Sequence, residues 1–370
     1  MAEPSTEYGP SGAPSATGPL VISEDEELLE RLLRLCAAVG ADPCVLRGAP
    51  PAVSQWEAAP LVVVGDDVAE RCSGLPRRSG VLLIGRDLDD CDVWMRAVGI
   101  GADHVLFLPD AEAWLLDRIA DAAEGIGAHA LTVAVLGGRG GAGASTLACA
   151  LAVTAAREGH PTMLIDGDPF GGGLDVLLGG ENVSGLRWPD LAGASGRVNG
   201  KELERALPAL HSLVALSWDR SDILTVPPEA MRTVLAAARR RGGLVVLDLP
   251  RHFDPAAAEA LDQADTGLLV VPAELRAVAA AGRVAAAARM RLNDLRAVVR
   301  MPGCAGLDGK GVARSLCMDL AGELAGEPGL TADVEQGIPP GLRDKGPLAR
   351  FCSAFLAEAV PPTAGRSAAV

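Results

Sequence analysis

Residues 137–146 read GGRGGAGAST, and they follow directly on the β-type run 131–136, LTVAVL. A strand that feeds a glycine-rich turn and then a helix aims successive backbone N–H groups at one point, which suits a bound phosphate. The helix is supplied by 145–158, an Ala- and Leu-rich run opened by Ser145 and Thr146. Loops of this kind carry a lysine just before the Ser/Thr position, reaching the β- and γ-phosphates. Here that position is Ala144. The stretch therefore predicts a phosphate loop with one part of its chemistry removed. Its candidate ligand-facing residues are Gly138, Arg139, Gly140, Gly141, Ala142, Gly143, Ala144, Ser145 and Thr146.

Two later segments fit the same site. The run 164–174, LIDGDPFGGGL, sets Asp166 and Asp168 just past a strand, and 244–250, LVVLDLP, sets Asp248 at the end of a strongly β-type run. Ligands of open α/β sheets bind at the carboxyl edge of the strands, where these three segments converge. A carboxylate there holds Mg²⁺ directly or through water, so Ser145 and Asp248 are the candidate metal ligands. A strand-end Asp taken alone more often caps a helix or shapes a turn. It is the three segments in this order that point to a nucleotide site.

Outward from this core the pattern stays α/β. Strands are expected at 131–136, 162–165, 213–216, 244–247, 268–271 and 295–299, with helices at 145–158, 229–241, 255–263 and 277–292 between them. This is the signature of a doubly wound, mostly parallel sheet. Upstream, β-type runs at 20–23, 43–46, 61–64, 81–84 and 104–108 alternate with helices at 26–39, 92–98 and 111–123, which predicts a smaller doubly wound domain. The expected layout is a disordered 1–18, a first domain at 19–123, a linker at 124–130, a second domain at 131–360 and a loose tail at 361–370.

Composition restricts the function. The chain has 370 residues, enough for two cores, and its net charge of −15 disfavours broad nucleic-acid binding, which depends on Lys and Arg neutralising phosphates. Aromatic residues make up only 3%, so the cores must be Leu, Val and Ala packing. The cysteines Cys36, Cys44, Cys72, Cys91, Cys149, Cys304, Cys317 and Cys352 form no CxxC pair and read as small buried hydrophobes of a reducing cytoplasm. The five histidines are too dispersed for a metal centre, and no metal cluster is expected. No signal-peptide h-region and no uncharged apolar span are evident.

Residues 131–358 resemble the deviant Walker-A ATPases of the MinD/ParA family, whose loop reads KGGxGK[ST]T. The resemblance puts the family's signature lysine at Arg139, its glycines at Gly140, Gly141 and Gly143, its phosphate-contacting lysine at Ala144 and its Mg²⁺-binding hydroxyl at Ser145. It makes Asp166 the residue that orients the attacking water and Asp248 the Walker-B aspartate. The segments 264–274 and 322–340 resemble later family regions. Within the family the chain is most similar to the CpaE/TadZ-like subgroup of the actinobacterial septum-site-determining type, in which a receiver-like (flavodoxin-like) domain precedes a degenerate ATPase domain.

The resemblance implies ATP or ADP with Mg²⁺ as ligand, a homodimer, and division-site or pilus and secretion proteins as partners. It also implies a cytoplasmic protein recruited to a septum or pole, with membrane association only indirect and no sequence-specific nucleic acid. The departures change the chemistry. Without a lysine at Ala144 a charge-assisted contact worth about 1.5–3 kcal/mol is gone. Loss of such a charge-stabilising group costs roughly 10²–10³ in rate. Arg300 replaces the asparagine with which the family often reads adenine. The expectation is a spatial regulator that is not an efficient ATPase. The alternatives are a slow ATPase switch in which Arg139 substitutes for the lysine, and a phosphorylation-regulated protein using Asp66.

In the first domain a working receiver needs an acidic pair, here Glu24 and Asp25, an acceptor Asp after its third strand and a lysine after its fifth. Gly65 occupies the acceptor position, with Asp66 and Asp67 beside it, and Leu108 stands where the lysine belongs. The sequence therefore favours an interaction domain. Arg239, Arg240 and Arg241 read as cations at a helix C-terminus. The helix 347–360 reads as a docking element with a single cation, too few for a membrane surface. Trp188 and Trp218 read as packing.

Overall fold

The computed structural model describes residues 18–123, 129–194, 198–302 and 307–360. The expected disordered residues 1–17, most of the expected linker (124–128), the expected tail and Cys304 lie outside them. The chain divides into two compact units, Met1–Gly127 and Ala128–Val370.

The first unit carries β1 (Leu20–Ile22), β2 (Cys44–Leu46), β3 (Val62–Gly65), β4 (Val81–Gly85) and β5 (His104–Phe107) in the order β2-β1-β3-β4-β5, all parallel. Side chains alternate between the faces of a strand. Val21, Val63 and Leu82 thus enter one core with the helices Glu26–Ala38 and Glu112–Ala123, while Leu20, Ile22, Val62 and Leu83 enter another with Trp56 and the helix Asp92–Ile100. The helix Val53–Ala58 was not legible in advance. It is a single short stretch whose buried hydrophobe is Trp56, too brief to show periodicity.

The second unit holds β6 (Leu131–Gly137), β7 (Thr162–Asp166), β8 (Ala209–Leu210), β9 (Leu213–Leu216), β10 (Leu244–Leu249), β11 (Thr266–Pro272), β12 (Leu295–Arg300) and β13 (Asp319–Leu324). Their order is β13-β12-β11-β6-β10-β7-β9-β8, parallel except for the β8–β9 hairpin. β13 escapes sequence reading because DLAGEL is half-exposed and carries two acids, a composition that an edge strand tolerates. The central strands are buried on both faces and read as unbroken Val and Leu runs.

Helix Ala144–Arg157 is buried nearly all round. It is covered on its outer side by the last helix, Pro347–Ala359, through Leu348, Cys352, Phe355 and Leu356. That helix docks within the chain, as its single cation suggested. Among the described residues no helix is long and apolar enough to cross a membrane. The expectation of uniformly buried cysteines fails at Cys44, Cys91 and Cys317, which are exposed. Cys44 and Cys317 border strands, and Cys91 opens a helix, so spacing alone gave no sign of their exposure.

Candidate functional site

The loop after β6 is shaped by two glycines in left-handed backbone, Gly141 at φ 70° and Gly143 at φ 99°. Side-chain-bearing residues rarely adopt this region. Helix Ala144–Arg157 starts directly after Gly143. Its N-terminal turn, with its share of the helix dipole, faces a cavity of about 410 Å³. The cavity is lined by residues 139–146 with Gly137, Asp168, Asp248, Leu249, Pro250, Arg251 and Arg300. Gly138 is the exception among the expected loop residues. Its N–H is bonded to the Val270 carbonyl at 2.9 Å, and a Cβ on it would lie 2.7 Å from that of Ala281. It joins the loop to the sheet and its helix instead of facing the ligand space.

Asp166 and Asp248 are paired in register on the neighbouring strands β7 and β10. Both are almost fully buried, at 2% and 3% exposure. Burial pushes the Asp248 carboxyl up to about 8, with the nearby Asp166 charge adding to the shift and a hydrogen bond with Ser145 opposing it. Burial likewise pushes Asp166 up to about 6, against hydrogen bonds from the Leu174 and Asp168 N–H groups and the Ser217 hydroxyl. The Ser145 hydroxyl and the Asp248 carboxylate are adjacent hard oxygen donors of the kind that suits Mg²⁺. A divalent cation there would supply the charge that these carboxylates lack.

Asp166 stands slightly apart. It lines a neighbouring cavity of about 270 Å³ with Ser145, Asp248 and the glycines 171–173. Its carboxylate accepts from Leu174 N at 3.0 Å, Asp168 N at 3.2 Å and Ser217 Oγ at 3.0 Å, and so organises the 168–174 loop. Its backbone carbonyl accepts the Trp188 indole N–H at 2.6 Å. Trp188 is therefore a core residue that also fixes the strand end, and its ring lies 6.1 Å from that of Trp218. Arg139 points at Glu274, with Nη2 2.9 Å from Oε1. Sequence reading could not foresee this partner, because it arrives from the far end of β11.

In the first unit the acidic positions are used up by the fold. Asp25 caps the helix Glu26–Ala38, and Glu24 pairs with Arg71 at 2.6 Å. Asp67 accepts from the Glu24 N–H at 2.6 Å and from Ser23 Oγ at 3.0 Å. Asp66 is paired with Arg96 at 2.5 Å, and Arg96 also binds Asp90. A phosphoryl group would have to displace these partners.

Residues 22–129 match the family described as Rv3660c-like, CheY-like N-terminal domain. Over 327 residues the chain is 40% identical to protein Rv3660c of Mycobacterium tuberculosis, covering 86% of this chain and 91% of that protein. The chain belongs to the Rv3660c-like family. Its second unit shares the fold of the septum site-determining protein MinD from Pyrococcus horikoshii, solved with Mg-ADP. The TM-score is 0.53 and the identity 20%, over 65% of this chain and all of that one. A protein of Oltmannsiellopsis viridis named as septum site-determining MinD is 27% identical over 155 residues, 42% of this chain and 49% of that protein. The Rv3660c-like chain thus joins a CheY-like domain to a MinD/ParA-like P-loop domain, as the resemblance implied.

Other signals resolve locally in this Rv3660c-like chain. Arg239 binds the Gln263 carbonyl and Asp265, Arg240 the Val198 carbonyl, and Arg241 Glu204. This arginine run is spent on holding its own helix end. Among the described residues no cluster of His, Cys, Asp and Glu is arranged to hold a metal ion. Arg251 lines the cavity without any local sequence signal. Arg251 follows the strand-end Asp248 by three positions, and only the return of that loop over Gly140 brings it to the site.

Proposed function

We propose that this chain is a spatial regulator of the septum-site-determining, CpaE/TadZ-like type. It acts in selecting a division site, or in placing pilus or secretion machinery, through protein–protein contacts that include a second copy of itself. In this reading it works in the cytoplasm, is recruited to a septum or pole, and holds a Mg²⁺-nucleotide with little turnover. The observation that carries the reading is the loop itself. Its glycine geometry and the Ser145–Asp248 pair are complete, while Ala144 leaves the phosphate without a lysine and Arg139 is bound to Glu274. The names of the MinD relatives support the positioning role. The engaged carboxylates of the first unit support an interaction domain over a phosphorylated one.

Calorimetric titration of the full chain with Mg-ATP and Mg-ADP, paired with a phosphate-release assay, tests the reading. The expected result is binding with turnover far below that of a lysine-bearing relative. Rapid turnover would establish an ATPase switch instead, and no binding at millimolar ligand would remove nucleotide from the account.

A further inference from the structure

We propose that Arg251 and Arg300 together replace the missing loop lysine, gripping the phosphates of a bound nucleotide from opposite sides. This rests on the nucleotide-binding reading above. The loop follows β6. Arg251 comes from the chain just past β10, on one flank of β6, while Arg300 ends β12, beyond β11 on the other flank. Both line the loop cavity. Arg300 Nη1 donates to the Gly141 carbonyl at 3.3 Å and lies 3.5 Å from where a Cβ on Gly143 would sit. Arg251 Nη1 lies 3.7 Å from the corresponding point on Gly140. The glycines thus leave the space into which both guanidinium groups reach.

Charge pairing separates these two from the third arginine of the cavity. Arg139, the third arginine of the cavity, is held by Glu274. Among the described residues, no hydrogen bond or ion pair engages Arg251, and Arg300 has only the Gly141 carbonyl. Among the described residues neither Arg251 nor Arg300 is paired with a carboxylate, so both guanidinium groups at this glycine loop remain able to take an anion. Guanidinium groups bind phosphate oxygens in pairs of hydrogen bonds, which a single ammonium cannot do. Arg300 also lines an adjoining cavity of about 530 Å³ floored by Met301, Leu324, Leu330 and Leu348, so the rest of a nucleotide has room beside it. Because both arginines sit at the rim and not in the first helical turn, they support binding without restoring the lysine's place in phosphoryl transfer.

The test is calorimetric titration of the full chain with two probes, Mg-pyrophosphate and Mg-ADP. The wild type is expected to bind both. R251A/R300A is expected to weaken both by about tenfold or more, in line with the loss of charge-assisted contacts, and Ala144→Lys in that background to restore them. R251Q/R300Q reads the same charge loss should the alanine pair unfold the chain. If the double variant binds both probes as the wild type does, the assignment fails and the nucleotide reading stands. Weakening for Mg-ADP alone would make Arg300 a base contact and likewise overturn it. A wild type that binds neither probe would overturn the reading and the assignment together.

Discussion

Asp166 and Asp248 face each other in register across β7 and β10, both buried, in a phosphate-loop site whose lysine position is an alanine. Burial raises both carboxyls, and the nearby Asp166 charge adds to the rise at Asp248 while the Asp168 charge adds to that at Asp166.

This arrangement predicts a stability profile. Asp248 is ordinarily ionised above about pH 4 in an unfolded chain, but its folded value is raised to about 8. Between these values the folded state binds the extra proton, so stability falls as pH rises across roughly pH 4 to 8. Asp248→Asn is expected to flatten that fall and to stabilise the metal-free protein at pH 8 by on the order of a few kcal/mol, with little effect near pH 4. Thermal melting across pH, with and without Mg²⁺, measures this. An unchanged profile in the variant would count against a buried, proton-holding Asp248.

Ala144→Lys places an ammonium in the first turn of helix Ala144–Arg157, on the lining of the loop cavity. Affinity for Mg-ADP is expected to rise about tenfold, from one charge-assisted contact. Titration of the variant beside the wild type gives the number. No gain would show that the loop does not hold phosphate in the usual way.

Glu274→Gln releases Arg139 from its ion pair. Both side chains are more than a third exposed, so the stability change is expected to stay under about 1 kcal/mol. Nucleotide affinity should rise modestly, because a loop cation becomes available. Chemical denaturation and titration of the same sample separate the two effects, and a fall in affinity would mean that Glu274 itself helps the ligand.

In the CheY-like domain, incubation with acetyl phosphate is expected to leave the protein unlabelled, since Asp66 and Asp67 are already bonded to Arg96, Ser23 and the Glu24 backbone. Asp66→Ala is expected to cost about 1–3 kcal/mol by leaving Arg96 half-paired. Intact-mass measurement and urea unfolding decide both points. A stable phosphoryl adduct lost in that variant would revive a phosphorylation role.

The sequence by itself determined the α/β class of both units and the glycine loop between strand and helix, and it set Ser145, Asp166 and Asp248 at the ends of those elements, because each of these is written locally. Buried parallel strands show as runs of Val and Leu, and a glycine turn between strand and helix keeps fixed spacing. The alanine at position 144 was equally plain. Only the tertiary structure decided which charges meet. Glu274 is 135 positions from Arg139 and Arg300 is 159 from Gly141, and no local pattern encodes such pairs. The edge strand Asp319–Leu324 was hidden for a related reason, since a strand paired on one side needs no hydrophobic run to hold it. What a side chain spends its hydrogen bonds on, as Gly138 does on Val270 and Asp166 on its own loop, depends on neighbours brought in by the sheet order.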